Sequence, residues 1–411
     1  MQSALLVTAL SLSFRTAGCF SLSRVLPAAV ARQSSVASPQ GTRLRVPLFR
    51  PPALRMSSTN DSLAEVDKAG AFKRTDATFR KWVKVGDPEH PPEAGRYHLY
   101  ISHACPWANR CHTVMRMKGL EDVIGLSVTH PTWARTRPDD AADTHVGWVF
   151  KDPSDPPVSS PAGFGSFPCQ DTIPDTIHGY KYVRDLYPAD MATKFTVPVL
   201  FDKVTKTIVS NESAEIIKMF NKEFNAKNPD LDLDPEDLQA EQEAVNEWIY
   251  PHINNGVYRC GFAQSQGAYE EAFDQVFAAL DKCEDILTKQ RYIAGDRLTL
   301  ADIRLWMTLI RFDPVYVVYF KTNKKRIDEY PAIFNYVKEI WQVENLIRPS
   351  PPLHAALLAS HLIHPPPATS RTQWRLRDAE RVPFVAAVCC CGSRRRTRSL
   401  QRTHQTNNAA R

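Results

Sequence analysis

Tyr97-His98-Leu99-Tyr100-Ile101-Ser102-His103-Ala104-Cys105-Pro106-Trp107-Ala108 is the stretch on which the reading of this chain turns. Residues 97–102 alternate in polarity and read as a strand. Cys105 follows, then Pro106, and residues 107–120 carry a helical pattern. Proline suits the first turn of a helix, where its missing N–H has no partner to lose. The Cys105 sulfur is therefore expected at the positive end of a helix. There a thiolate is favoured, and the thiol should titrate below the free value of about 8.5.

Working outward, residues 96–129 read strand, helix, strand, with 123–128 as the closing strand. Residues 130–190 form a long irregular insert rich in Pro, Gly, Asp and Trp. A loop of that length in a compact domain is usually functional or a lid. Two short apolar runs, 196–201 and 207–210, join through the turn 202–206 as a hairpin, and a helix over 212–221 follows. The order βαβ then ββα is that of thioredoxin. Pro198 inside a strand is tolerated at an edge or with a cis bond, and Val197-Pro198 is the candidate for the cis-proline of that fold. Residues 222–235 read as a polar linker, and the pattern then turns helical over 236–250, 269–289, 298–312 and 332–341. Thr299 and Asp302 form a capping-box pattern, with Ile303, Trp306, Met307 and Ile310 on one face behind it. The expected fold is an α/β thioredoxin-like domain, 61–221, followed by an all-α domain, 236–345. That is the architecture of glutathione transferases.

The two ends differ from this body. Residues 1–60 hold seven Arg, ten Ser and no acid, and residues 346–411 hold eleven Arg and two acids. Their net charges are +7 and +9; against +6 for the whole chain this leaves −10 on the body. The basic excess belongs to the ends, so the sequence argues against nucleic-acid binding, which needs a basic face on a folded domain. Arg- and Ser-rich, acid-free composition reads as a targeting peptide, most simply for a plastid, with mitochondrion or cytoplasm as alternatives. The apolar run 4–12 is too short to span a bilayer, and no membrane association is expected. The tail, with Pro-rich runs, Cys389-Cys390-Cys391 and an Arg triplet without periodicity, reads as disordered or as an artefact of gene prediction. The body keeps Cys105, Cys111, Cys169, Cys260 and Cys283 without the spacing of a disulfide framework, which fits a reducing compartment. No metal site is expected.

From about residue 70 to 345 the chain resembles the glutathionyl-hydroquinone reductases, the Xi class of glutathione transferases. The matching motifs are Cys105-Pro106-Trp107-Ala108, Gly147-Trp148-Val149-Phe150, Thr196-Val197-Pro198-Val199-Leu200, Asn211-Glu212-Ser213 and Asn254-Asn255-Gly256-Val257-Tyr258. Ala294-Gly295-Asp296, Ala301-Asp302-Ile303-Arg304-Leu305 and Arg311-Phe312-Asp313-Pro314-Val315-Tyr316-Val317 complete the set. Each motif is weak alone, and all of them in order are specific. Where the family carries Arg before its Thr-Val-Pro-Val motif this chain has Lys194. Where it carries His and Cys after Val-Tyr-Val there are Tyr319 and Thr322. The family's ending is not recognisable after Trp341.

The resemblance implies a role for each site residue. Cys105 is the nucleophile, and with Ala108 three residues on there is no resolving thiol in that motif. Glu212 and Ser213 hold the γ-glutamyl end of glutathione, Val197 its cysteinyl backbone, and Trp148 and Lys194 its glycyl end. Tyr258 and Tyr316 face Cys105 as substrate contacts and proton donors. Cys111 and Asp302 are expected to be structural. The implied activity is glutathione-dependent reduction of glutathionyl-hydroquinones through a Cys105–glutathione mixed disulfide, by a homodimer and without metal. The alternatives are an omega-like thioltransferase or dehydroascorbate reductase, and a non-enzymatic interaction module on the same fold.

Overall fold

β1 (Tyr97–Ser102) has all six side chains buried, the mark of a strand covered on both faces. In this computed structural model residues 65–343 are described, apart from 161, 162, 164, 192, 193 and 225–227. The expected leader, 1–60, and tail, 346–411, lie outside the described residues. α1 (Pro106–Met117) follows β1 with Cys105 as its N-cap and Pro106 in its first turn. β2 (Gly125–Thr129) then pairs with β1 in parallel. The insert contains the short pair β3 (Ala134–Arg135) and β4 (Val146–Gly147). β5 (Val199–Asp202) runs antiparallel to β1, and β6 (Thr207–Ser210) antiparallel to β5, giving the sheet order β2-β1-β5-β6. α2 (Ser213–Lys222) packs against α1. This is the expected thioredoxin-like order, and the Val197-Pro198 bond is cis.

Both sheet edges are covered by segments without a regular strand pattern. The amide of Lys81 donates to Val209 O and that of Asn211 to Phe79 O, so residues 79–81 lie along β6. On the other side Val128 and Ile173 exchange backbone hydrogen bonds of 2.9 and 3.0 Å, which lays part of the insert beside β2. Unpaired edges invite association, and these contacts remove them.

The helical half comprises α3 (Gln239–Ile249), α4 (Gly256–Phe262), α5 (Gln266–Leu287), α6 (Leu300–Arg311), α7 (Val317–Tyr319) and α8 (Pro331–Trp341). α6 is the central helix: all its residues but Arg304 are buried. The Thr299–Asp302 capping box forms, and Asp302 also accepts from the Ile293 amide at 2.8 Å and the Tyr336 hydroxyl at 2.9 Å. These contacts account for Asp302 as a structural residue. The helix expected over 236–250 departs from its pattern at Pro251. The chain widens there into a π-helical turn, Tyr250–Asn254, and restarts as α4, which periodicity did not reveal. A second widened turn, Phe312–Tyr316, contains Pro314 and separates α6 from α7. Proline cannot supply the helical N–H, and single widened turns of this kind recur at functional sites. Here they deliver the two tyrosines singled out from the sequence. Among the described residues no helix is long and apolar enough to cross a membrane, and no group of His, Cys, Asp or Glu could hold a metal ion.

Candidate active site

Cys105 sits where the strand, the helix start and the cis-proline meet. Its thiol donates to the Val197 carbonyl at 3.5 Å, and its own carbonyl accepts from the Asn109 amide at 3.0 Å as the helix begins. The amides of Ala108 and Trp107 point at the sulfur, and the positive charges of Arg74 and Arg311 act on it. All four favour the thiolate. Burial disfavours it more, and the thiol lies above its ordinary value. The expectation of a depressed value is therefore overturned for this closed cleft. The sequence shows the helix terminus, but the enclosure comes from the helical half packed over it. A part of the Cys105 surface stays open, so the sulfur remains reachable. Cys111 is fully buried, with its thiol on the carbonyls of Trp107 and Ser213, and packs as expected.

The start of α2 faces the same region through Arg110. Glu212 is the N-cap, and its carboxylate accepts from the Ala214 amide at 2.8 Å. The Ser213 hydroxyl accepts from Arg110 Nε at 3.0 Å and Nη2 at 2.5 Å, which leaves its own proton to donate. Arg110 is buried, stacks 4.8 Å over the Trp107 ring, and lies 3.9 Å from Glu212. Sequence reasoning missed Arg110, although its place one turn after Trp107 on α1 was open to view. The arrangement offers a helix N-terminus, a hydroxyl donor and a carboxylate side by side, which suits the amino-acid end of a peptide.

Lys194 stands two residues before the Thr196-Val197-Pro198 corner. Its ammonium is paired with Glu65, a residue of the segment that precedes the sheet, and burial lowers its titration. Glu65 also accepts from the Thr75 amide at 2.5 Å. Sequence reasoning saw the lysine and missed its partner, because nothing in the spacing brings residue 65 to residue 194. Trp148 follows β4 and meets Trp133 edge-to-face at 5.4 Å, while its carbonyl accepts from the Val183 amide. The insert also buttresses the corner directly. Tyr187 donates to Thr196 O at 2.8 Å, and the Tyr187 and His145 rings pack on Phe195 at 5.5 and 5.1 Å.

Tyr258 and Tyr316 come together at 6.0 Å between ring centroids. Burial raises both phenols, and each feels the charge of Cys105, so the structure brings the two tyrosines to the sulfur. Tyr319 is half-buried, and burial alone raises it. The Asn-Asn-Gly-Val-Tyr motif gains a physical account residue by residue. Asn254 donates to Arg304 O and Thr308 Oγ1 of α6 at 3.0 and 2.8 Å. Asn255 accepts from Arg74 Nε at 2.8 Å. A Cβ on Gly256 would meet Val276 at 2.9 Å, so only glycine lets α4 approach α5. Val257 is core, and Tyr258 faces the cleft. Arg74 and Arg311 complete the cluster. The sequence quoted Arg311 in a motif without a role, and Arg74 lies in a segment with no periodicity to mark it.

Residues 104–223 match the family described as Glutathione S-transferase, N-terminal domain, and residues 266–339 match its C-terminal domain. The chain is similar to glutathionyl-hydroquinone reductase YqjG of Escherichia coli, 42% identical over 288 residues, spanning 67% of this chain and 80% of that protein. Glutathione S-transferase omega-like 2 of Schizosaccharomyces pombe is 38% identical over 288 residues, spanning 67% of this chain and 83% of that protein. Among solved structures, the Xi glutathione transferase ECM4 of Saccharomyces cerevisiae in complex with glutathione superposes with a TM-score of 0.61 at 34% identity. That match covers 71% of this chain and 92% of that one.

Proposed function

The chain belongs to the Xi-class glutathione transferases, the family of the glutathionyl-hydroquinone reductases, and on that premise we propose that it reduces glutathionyl-hydroquinones at Cys105. The observation that carries this reading is the Cys105 thiol on the Val197 carbonyl at 3.5 Å, with Tyr258 and Tyr316 beside it. Cys105 as thiolate attacks the sulfur of the conjugate. The bond from that sulfur to the ring carbon breaks, and the carbon takes a proton from the tyrosine pair, so that free hydroquinone leaves. Cys105 is left in a disulfide with glutathione. A second glutathione, as thiolate, attacks that disulfide and departs as oxidised glutathione, which returns the Cys105 thiolate. The ring carbon is reduced and two glutathione sulfurs are oxidised. This is nucleophilic catalysis by a single thiol, resolved from outside.

Glutathione fits the residues present. The N-terminus of α2 with Ser213 takes the γ-glutamyl carboxylate, and Glu212 takes its amino group. Val197 pairs with the cysteinyl backbone in the manner of an added strand. Lys194, exchanging Glu65 for the glycyl carboxylate, and Trp148 complete the seat. We further propose that the protein works as a homodimer and that residues 1–60 direct it to a plastid. An omega-like thioltransferase activity would use the same Cys105–glutathione disulfide, and the resemblance to an omega-like relative keeps that reading as the second one. The deciding experiment presents the full chain with a glutathionyl-hydroquinone, dehydroascorbate and a glutathione mixed disulfide in parallel. Release of hydroquinone with oxidised glutathione is expected to dominate. Turnover confined to the other two substrates selects the omega-like reading, and no turnover by folded protein selects the interaction module.

A further inference from the structure

The cleft around Cys105 contains two guanidinium groups to which the proposed reaction assigns no task. Arg74 is half-buried and lies 4.9 Å from the Tyr258 ring centroid, 5.1 Å from that of Trp107 and 5.3 Å from that of Phe72. Its Nε is tethered to Asn255 Oδ1 at 2.8 Å. Arg311 is buried, donates from Nη1 to Met307 O at 2.8 Å and from Nη2 to His103 O at 3.3 Å, and its Nε has no partner. Among the described residues neither guanidinium has a carboxylate within ion-pairing distance. A buried cation is costly unless a negative charge compensates it. The acids whose charge acts on Arg311 are Cys105, Tyr258 and Tyr316, and Arg74 acts on the same three. Of these the thiol ionises most readily. The enclosure that dries the sulfur thus comes with two cations that offset it.

We propose that Arg74 and Arg311 are positioning residues that offset the burial of Cys105 and so favour formation of its thiolate, with Arg74 supplied by a segment lying before the first strand of the sheet. The inference rests on Cys105 being the nucleophile. Asn255 aims Arg74 across the Tyr258 and Trp107 faces, so the motif that presents Tyr258 also presents the cation. Guanidinium groups stack on aromatic faces and stay charged at every working pH, which suits them to a cleft lined by Tyr258, Trp107 and Phe72.

The test measures alkylation of Cys105 by iodoacetamide against pH in the full chain, read at the Cys105 peptide by mass spectrometry, for wild type, Arg74→Gln and Arg74→Lys. A nearby cation favours the charged thiolate, so its removal raises the midpoint. The expected rise in Arg74→Gln is about one pH unit, which slows alkylation at pH 7.5 about tenfold. Arg74→Lys keeps the charge and is expected to stay within about threefold of wild type. If Arg74→Gln does not fold by circular dichroism, Arg74→Met, which keeps the aliphatic stem against the three rings, takes its place. An unmoved midpoint in a folded neutral variant overturns the proposal, as does an equal loss in Arg74→Lys. Alkylation needs no hydroquinone, so a protein that shows the shift but fails to release hydroquinone refutes the assigned reaction and leaves this inference standing.

Discussion

Replacing Asp202 with Asn should remove a defined part of the acid sensitivity of the fold. Asp202 ends β5 opposite Tyr97, the first residue of β1, and so ties together the two strands that lead to Val197 and to Cys105. Its buried carboxylate accepts from Arg96 Nε at 3.0 Å and Nη2 at 2.6 Å, from His90 Nδ1 at 3.0 Å and from the Val204 amide at 2.8 Å. Burial alone would raise the group, but these donors outweigh it and hold the carboxyl down to about 2, against an ordinary 3.8. A carboxylate held lower in the folded chain than in the unfolded one contributes stability that is fully present above pH 4. That contribution is lost as the pH falls through about 2. At about 1.4 kcal/mol per pH unit the contribution is about 2 kcal/mol. The asparagine variant has no such titration. At pH 7 it should be less stable by roughly 3 kcal/mol, because it leaves the buried Arg96 with only the exposed Glu93 carboxylate, at 3.3 Å, as its anion. The assay is urea unfolding by tryptophan fluorescence at pH 7, 5, 4, 3 and 2 and fixed ionic strength. The gap between wild type and variant is expected to narrow below pH 4 and to have closed by about 2 kcal/mol near pH 2. A gap that stays constant within about 0.5 kcal/mol across that range refutes the assigned cause.

Cys105→Ser should lower turnover of a glutathionyl-hydroquinone by at least about a thousandfold while glutathione is still retained on an affinity resin; turnover within tenfold of wild type contradicts nucleophilic catalysis at that position. Glu65→Gln frees Lys194 from its ion pair and should tighten glutathione binding several-fold by calorimetry. Unchanged or weaker binding would remove Lys194 from the glycyl seat. Tyr316→Phe removes one phenol of the tyrosine pair and should reduce kcat about a hundredfold with KM within threefold, as expected for a proton donor; a matching rise in KM would instead make it a binding residue. N-terminal sequencing of the mature protein should begin near residue 56, and a start before residue 30 would argue against an imported precursor.

Order along the chain and local periodicity were enough for the strand-cysteine-proline-helix entry, the hairpin with its proline and the capped central helix. Those features rest on neighbours in sequence: alternation over 97–102, a proline in a first turn, a threonine three residues before an aspartate. The positions of Cys105, Val197, Glu212 and Ser213 at element boundaries were legible for the same reason, while their roles were what the family resemblance implied. Widened turns at Pro251 and Pro314, and the helix α4 between Gly256 and Phe262, broke periodicity and were not legible. Contacts across long separations were decided by the tertiary structure alone. Glu65 on Lys194, Arg74 on Tyr258 and Arg311 on the His103 carbonyl join segments that share no spacing. The ionisation of Cys105 belongs to this second kind. The helix start that favours the thiolate is written beside the cysteine, but the burial that opposes it arises only when the helical half closes over the sulfur. The cations that offset it come from residues 31 positions before and 206 positions after it. Electrostatic balance depends on distance through space and on excluded water, and neither is a property of adjacent residues.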